Sequence, residues 1–298
     1  MAIYLRPTGL NEALAALAVD AKSMAADPLD RLTVLAGATD FYPVATTRQA
    51  WFQKTADRVL DISGIDGLRG NTETADGFRI GALTTWTDLI HAPLPPAFDG
   101  LKQASRQVGG VQIQNRGTLA GNICNASPAA DGVPPLLALD AQVELVSLKG
   151  TRRLPLSQFI LGNRRTALLP GELMTAIHLP RPAEGEQSHF LKLGARAYLV
   201  ISIASVAVNA HMDGAGTIRQ IRIAVGSCSA VPQRLGELEN HLQGLSPAQA
   251  SRAVSPDMLT ALSSIDDVRA SAVYRREAAL TLVRRALDGL CVPRDEAA

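Results

Sequence analysis

Apolar and polar positions follow one rhythm up to about residue 185 and a different one beyond it. Near the start, Leu10, Ala13, Leu14 and Leu17 form one helical stripe. Thr8 is the predicted cap, and Asp27-Pro28 ends the region. Short apolar runs at residues 32–36, 59–62 and 78–82 predict strands, the first running straight into Gly37-Ala38-Thr39-Asp40. Thr84 and Thr85 are caps for a short helix through Leu89. After the break at Leu94-Pro95-Pro96, Phe98, Leu101, Ala104, Ser105 and Val108 fit a helix that stops at Gly109-Gly110. A short helix is predicted over 134–139, with Pro near its start. A strand over 142–148 turns back at Lys149-Gly150, and another over 173–179 ends at Pro180-Arg181-Pro182.

Residues 183–188 are polar and carry Glu184, Gly185 and Glu186, so a domain boundary is expected there. Beyond it, residues 190–193 and 201–210 predict strands. Residues 211–216 form a hairpin loop around Asp213-Gly214. Ile221, Ile223 and Val225 alternate with Arg222 and Ala224 in the returning strand. The remainder is helical: Ser246-Pro247 and Ser255-Pro256 open short helices. A last helix carries Val273, Leu280, Val283 and Leu287 at helical spacing. Arg275, Arg276, Arg284 and Arg285 are expected on its outer face, as a solvated surface or a subunit contact. The prediction is α+β twice: a mixed part of about 185 residues, then an antiparallel sheet with a helical tail.

One stretch keeps neither rhythm. Arg116 to Asp131 consists almost wholly of small side chains and short hydrogen-bonders. A solvated loop would carry charge, and a core strand would carry Val, Ile or Leu in period two. Such a backbone suits close approach to a polar ligand. Leu35-Ala36-Gly37-Ala38-Thr39-Asp40 has the same character. A pyrophosphate can be bound by Lys or Arg, or by converging backbone N–H groups, and these residues fit the second solution. Thr39, Thr118, Asn122 and Ser127 add neutral donors, while Asp40 and Asp131 are candidate acceptors for sugar or ribityl hydroxyls. Neither segment fits G-x-x-x-x-G-K-[ST], and neither gives G-x-G-x-x-G after a strand.

Composition narrows the classes. With 47% hydrophobic and 19% charged residues, the 298-residue chain has material for a large core. At 4% aromatics, that core must rest on Leu, Ile, Val and Ala. A net charge of +1 without a basic block gives no footprint for nucleic acid. No run reaches the roughly 18 apolar residues of a spanning helix, and the N-terminus lacks a signal-type apolar region, so a cytoplasmic location is expected. Cys124, Cys228 and Cys291 are scattered and odd in number, which fits neither a disulfide framework nor a metal site. No His pairs with another at i, i+4 around a Glu, and Ser127-Pro128 is not a nucleophile elbow. No catalytic side-chain constellation stands out.

Together, Ala36-Gly37-Ala38-Thr39-Asp40 and Thr118-Leu119-Ala120-Gly121-Asn122 resemble the two FAD-binding signatures of the flavoprotein subunit of molybdenum hydroxylases, the xanthine dehydrogenase and carbon monoxide dehydrogenase group. The extension through Asn125-Ala126-Ser127-Pro128-Ala129-Ala130-Asp131 and the run from Ile265 to Arg276 resemble the same family, in the same order. The resemblance implies an FAD-binding domain of the vanillyl-alcohol-oxidase type over 1–185, with two α/β subdomains of about 1–60 and 61–185. A smaller α+β domain over 186–298 would follow, with a three-stranded antiparallel sheet and a helical tail.

By the same resemblance, Leu35, Ala36, Gly37, Ala38, Thr39, Asp40 and Phe41 would lie along the FAD pyrophosphate and nearby ribityl. Thr118, Gly121 and Asn122 would form the second side, and Ser127 and Asp131 would hold polar parts of the cofactor. Val108 falls at a contact position, Met174 and Lys192 at positions that touch the flavin end, and Tyr198 near the isoalloxazine. The family usually has Gly-Gly where this chain has Gly37-Ala38 and Ala120-Gly121; both alanines are expected at φ < 0. The implied partners are a large molybdenum-cofactor subunit and a small subunit with two [2Fe–2S] clusters, possible in a dimer of heterotrimers. The implied role is to collect single electrons on FAD and pass them to NAD, a quinone or dioxygen. A stand-alone FAD oxidoreductase and a partner-binding protein that has lost FAD are the alternatives.

Overall fold

A computed structural model describes residues 3–23 and 28–291. Asp27, half of the expected helix stop, lies outside these residues, as do the first two residues of the N-terminal segment. The chain begins with β1 (Ile3–Leu5), α1 (Leu10–Lys22), β2 (Thr33–Leu35), α2 (Phe41–Ala50) and β3 (Arg58–Asp61). The three strands form a parallel sheet in the order β1-β3-β2. Ala13, Leu14 and Leu17 of α1 bury against Leu60, Ile62 and Leu68. Gly9, not Thr8, is the N-cap of α1; the Thr8 N–H instead donates to Glu12 Oε2 at 3.3 Å.

The next part holds β4 (Asn71–Thr74), β5 (Gly77–Gly81), α3 (Trp86–His91), α4 (Asp99–Arg106), α5 (Val111–Gln114), α6 (Leu119–Asn125) and α7 (Val133–Ala138). It continues with β6 (Gln142–Ser147), β7 (Gly150–Pro155), α8 (Leu156–Phe159), β8 (Ile160–Gly162), β9 (Arg165–Thr166) and β10 (Leu173–Pro180). The order β4-β5-β10-β6-β7 is antiparallel throughout. Ile80, Val143, Leu145 and Ile177 meet Leu119, Ile123, Val133 and Leu136 of the covering helices, with Trp86 and Phe98 buried among them. Thr85 caps α3 through a full capping box with Asp88, as its position predicts.

The last part comprises β11 (Gln187–Leu193), β12 (Ala204–Met212), β13 (Ile218–Gly226), β14 (Gln233–Arg234), α9 (Gly236–Leu242), α10 (Pro247–Ala253) and α11 (Ala272–Gly289). Its sheet has four strands in the order β11-β12-β13-β14, where the sequence pattern counts three. The added strand is two residues long, too short to show a period. Ala204, Val206, Val208 and Ala210 point from β12 into a core shared with Val283 and Leu287 of α11. Ala207, one register step away, faces Ala104 of α4, Ala138 of α7 and Phe190. The sheet is thus the joint between the two parts.

Arg275 corrects the expectation of a solvated helix face. It is buried, donating to the Ile203 carbonyl at 2.7 Å, the Ser227 carbonyl at 2.8 Å and Asp267 Oδ1 at 2.6 Å. Arginine spacing on a helix does not reveal that one of its members meets buried carbonyls from other segments. Among the described residues, no helix is long and apolar enough to cross a membrane. No group of three or more His, Cys, Asp or Glu among them could hold a metal ion.

Candidate functional site

The two small-residue stretches meet. β2 delivers Leu35 to the rim of a cavity of about 800 Å³, and the chain turns through 36–40 into α2. Gly37 lies directly against the backbone of the second stretch: a Cβ there would be driven into the Arg116 carbonyl and within 2.9 Å of Gly117 Cα. Ala38 follows at φ 63°, in the left-handed region, which overturns the expectation of φ < 0. The turn reverses immediately after a residue pressed against the backbone of Arg116 and Gly117, and Ala38 takes the reversal despite its methyl group. Among the described residues, the N–H groups of Gly37, Ala38, Thr39, Asp40 and Phe41 have no acceptor in the protein. Four of these residues are half-buried and Asp40 is exposed, and their donors stand where α2 presents its N-terminus.

The second wall is α6. Thr118 is its N-cap, with Oγ1 accepting from the Gly121 N–H at 3.0 Å. The Leu119 N–H donates to the Thr84 carbonyl at 3.1 Å, and Thr118 forms an isolated bridge with Thr85, so α6 is pinned to the entry of α3. Ala120 lies in the first turn of the helix with a negative φ, as expected. An ideal Cβ on Gly121 would meet only Thr118 Oγ1, at 2.9 Å. Its free side lies toward the cavity that Gly121 helps to line.

Of the residues singled out in the sequence, Leu35, Ala36, Gly37, Ala38, Thr39, Asp40, Phe41, Val108, Thr118, Gly121, Asn122 and Met174 line this cavity. Ser127, Asp131 and Lys192 do not. The Ser127 hydroxyl accepts from the Ala129 N–H at 3.2 Å in a local turn. Asp131 and Lys192 form a buried ion pair at 2.6 Å, and Ser202 donates to the other carboxylate oxygen. Burial pushes the Asp131 carboxyl up, against the opposing pull of Lys192 and Ser202. Tyr198 is 81% exposed, while its neighbours Leu199, Val200 and Ile201 reach the cavity.

The structure adds walls that the sequence did not signal. Val44, Ala45 and Arg48 face the cavity from α2, on the same helical face as Phe41. Arg164 enters from the connection between β8 and β9, with Nη1 donating to Asn125 Oδ1 at 2.6 Å. Ile113 and Trp86 complete an apolar side. Cys124 opens onto the cavity but sits deep among protein atoms, and burial pushes its thiol up to about 12.

An FAD demands donors for a dianionic pyrophosphate, apolar surface for a flat ring system, and space. The unfilled N–H groups at Gly37–Phe41, the apolar side at Val108, Ile113 and Met174, and a volume typical of ligand clefts meet those demands.

Comparison with known proteins agrees with this geometry. Residues 1–182 match the family described as the FAD-binding domain in molybdopterin dehydrogenase, and residues 189–290 match the CO dehydrogenase flavoprotein C-terminal domain. The chain is 31% identical over 249 residues to the nicotinate dehydrogenase FAD-subunit of Eubacterium barkeri, covering 82% of this chain and 83% of that one. It is 31% identical over 233 residues to the xanthine dehydrogenase FAD-binding subunit of Escherichia coli O157:H7, covering 77% and 80%. Among solved structures it superposes on the carbon monoxide dehydrogenase of Hydrogenophaga pseudoflava with a TM-score of 0.85 and 28% identity, covering 97% and 96%. With two small-residue turns closing on one cavity, and both parts of the chain matched in order, the protein belongs to the FAD-binding flavoprotein family of the molybdopterin dehydrogenases.

Proposed function

We propose that the chain is the FAD-carrying electron-transfer subunit of a heteromeric molybdenum hydroxylase, dividing at about residue 185 into its two domains and working in the cytoplasm. Its partners would be a large molybdenum-cofactor subunit and a small [2Fe–2S] subunit, with NAD, a quinone or dioxygen as the final acceptor. The observation that carries the reading is the row of N–H donors from Gly37 to Phe41 that, among the described residues, have no acceptor and border the cavity. Bound flavin supplies the exchange between one- and two-electron transfer.

The chain's own residues hold and orient. The N–H groups of Gly37 to Phe41 would donate to the pyrophosphate oxygens, with Arg48 and Arg164 as further cations on the walls. Asp40 would accept from a hydroxyl of the sugar or ribityl chain, and Thr118 and Asn122 would close the opposite side. Val108, Ile113, Met174 and the Leu199–Ile201 segment supply apolar surface that excludes water. Asp40 is the one carboxylate among the described lining residues, and this reading commits it to a hydroxyl of the cofactor.

The test is the visible spectrum of the purified chain before and after incubation with FAD and removal of the excess. Retained flavin bands are expected. Their absence after reconstitution would leave a partner-binding protein without FAD. Flavin retention with turnover of a substrate by the isolated chain would instead show a stand-alone oxidoreductase. Mass spectrometry of the complex co-purified from the native source identifies the partner subunits.

A further inference from the structure

We infer that Arg275, on the last helix, is a positioning residue for the flavin: it ties two stretches of cavity wall to the C-terminal part of the chain. The inference rests on the FAD reading above. The Arg275 side chain is buried where the β12–β13 ladder ends. The ladder's last pair is Ser205 with Gly226, and Ser227 then turns the chain away at φ 65°. The carbonyls of Ile203 and Ser227 lie past that end. A single nitrogen of Arg275, Nη1, donates to both, at 2.7 Å and 2.8 Å. Nη2 donates to Asp267 Oδ1 at 2.6 Å.

Each of these carbonyls belongs to a segment that leads to the cavity. Ile203 lies two residues beyond Ile201, and Leu199, Val200 and Ile201 line the wall. Ser227 donates its own N–H to the Pro128 carbonyl at 3.0 Å. Pro128 lies three residues beyond Asn125, and Cys124 and Asn125 line the wall from the end of α6. Cys124 Sγ is 3.9 Å from Met174 Sδ, so this stretch adjoins the apolar side of the cavity. One guanidinium thus joins a wall from the C-terminal part to a wall from the first part.

The stretch with the fewest supports of its own is the connection between β11 and β12. Residues 195–199 are exposed. Among the described residues, 195–201 hydrogen-bond only one another, through the Arg196 guanidinium to the Tyr198 and Leu199 carbonyls. Past it, the chain is held by the Ser202 hydroxyl on Asp131, the Ile203 N–H on the Leu193 carbonyl at 2.8 Å, and Arg275 on the Ile203 carbonyl. The last of these puts the segment on the same nitrogen as Ser227, and so ties it to the end of α6. A planar guanidinium can serve two carbonyls and a carboxylate at once. It does so at a cost: among the described residues, Arg275 Nε is buried without a partner, and the other bonds must offset that. The walls it joins are largely apolar, the surface that a flat ring system needs, so their displacement is read at the flavin.

Arg275→Lys tests this, because an ammonium keeps the charge opposite Asp267 but cannot reproduce the fork. FAD is titrated against the flavin-free full chain, wild type and variant, and the visible circular dichroism of the flavin is recorded at saturation. Denaturant unfolding of the flavin-free chains is measured alongside. The expected result is a rise of about tenfold in the FAD dissociation constant, the share of one charge-assisted hydrogen bond, with an altered visible circular dichroism. Arg275→Met should weaken FAD further; if it does not fold, Arg275→Lys decides alone. Arg276→Ala, at the exposed neighbour, should match wild type in all three readings. An arginine with a merely structural role would lower the unfolding midpoint and leave the dichroism of flavin bound to the folded chain unchanged. That outcome overturns the inference, as does unchanged FAD affinity in Arg275→Lys, or an equal effect in Arg276→Ala. A wild-type chain that binds no FAD overturns the FAD reading itself.

Discussion

The two turns that meet at the cavity share a vocabulary of Gly, Ala, Thr and Asn, yet they fold into different objects. The first is a reversal: β2 ends, Gly37 slips under the Arg116 carbonyl, Ala38 goes left-handed, and α2 begins with its donors unfilled. The second is the opening of a helix that consumes its own donors, through Thr118 Oγ1 on the Gly121 N–H and the Thr118 carbonyl on the Asn122 N–H. The glycines differ accordingly. Gly37 is required by the protein itself, because backbone lies where its side chain would be. Gly121 is not required by the protein in that way: a Cβ there would meet only Thr118 Oγ1, and on the FAD reading it is the cofactor that would need the space beside it.

Gly37→Ala is the hardest test of that distinction. Its methyl meets the main chain of Arg116 and Gly117, and main chain yields less readily than a side chain. The contact between the stretches must open, at a cost of about 3 kcal/mol, the upper range for overpacking. Denaturant unfolding should register that loss in the flavin-free chain, and flavin should no longer be retained. A variant of wild-type stability that merely fails to hold FAD would place Gly37 in the same class as Gly121.

Gly121→Val reverses the order of effects. Its Cβ meets the Thr118 hydroxyl at 2.9 Å and little else, so stability should shift by no more than about 1 kcal/mol, as for an ordinary helix position. The methyl groups would take space on the cavity wall, and FAD binding should be lost while the C-terminal part stays folded. Equal flavin affinity in variant and wild type would show that the cofactor does not pass this wall.

The same contrast explains what could be read from sequence. The strands β5, β6, β10, β12 and β13 were legible because they are apolar or alternate, and the cap at Thr85 because its partner is three residues away. The turns stood out as small-residue runs, but not their conformations. α2 has no buried residue, since the face it turns inward borders open space, so no ordinary core stripe marks it. α6 is masked by Gly and Asn, both poor helix formers, in a helix held by its cap and by Leu119 and Ile123 in the core. Arg48 and Arg164 join the site from distant segments and carry no local signal. Asp131 and Lys192 were marked by resemblance, but only coordinates show them turned toward each other.

Thr118→Ala probes how far the second turn depends on its own cap. The hydroxyl is buried and satisfies a first-turn donor, so its removal should cost about 1 kcal/mol, with Thr118→Ser recovering most of it. FAD affinity should fall only modestly, because the helix remains pinned through Leu119 to Thr84. Loss of flavin as complete as in Gly121→Val would mean that the hydroxyl is committed to the cofactor rather than to the helix.

The smallest effect is expected at Ala38, and its sign carries the information. Alanine at φ 63° bears a left-handed cost of roughly 1–2 kcal/mol that glycine does not. Glycine in turn loses roughly 0.5–1 kcal/mol more conformational freedom on folding. Ala38→Gly should therefore stabilise the flavin-free chain, by up to about 1 kcal/mol, read by denaturant unfolding. The N–H row from Gly37 to Phe41 keeps its direction in the variant, so flavin retention should persist. Destabilisation would mean that the Ala38 methyl makes contacts worth more than the strain it causes, and the first turn, like the second, would then be shaped by the cavity it lines as much as by the backbone beneath it.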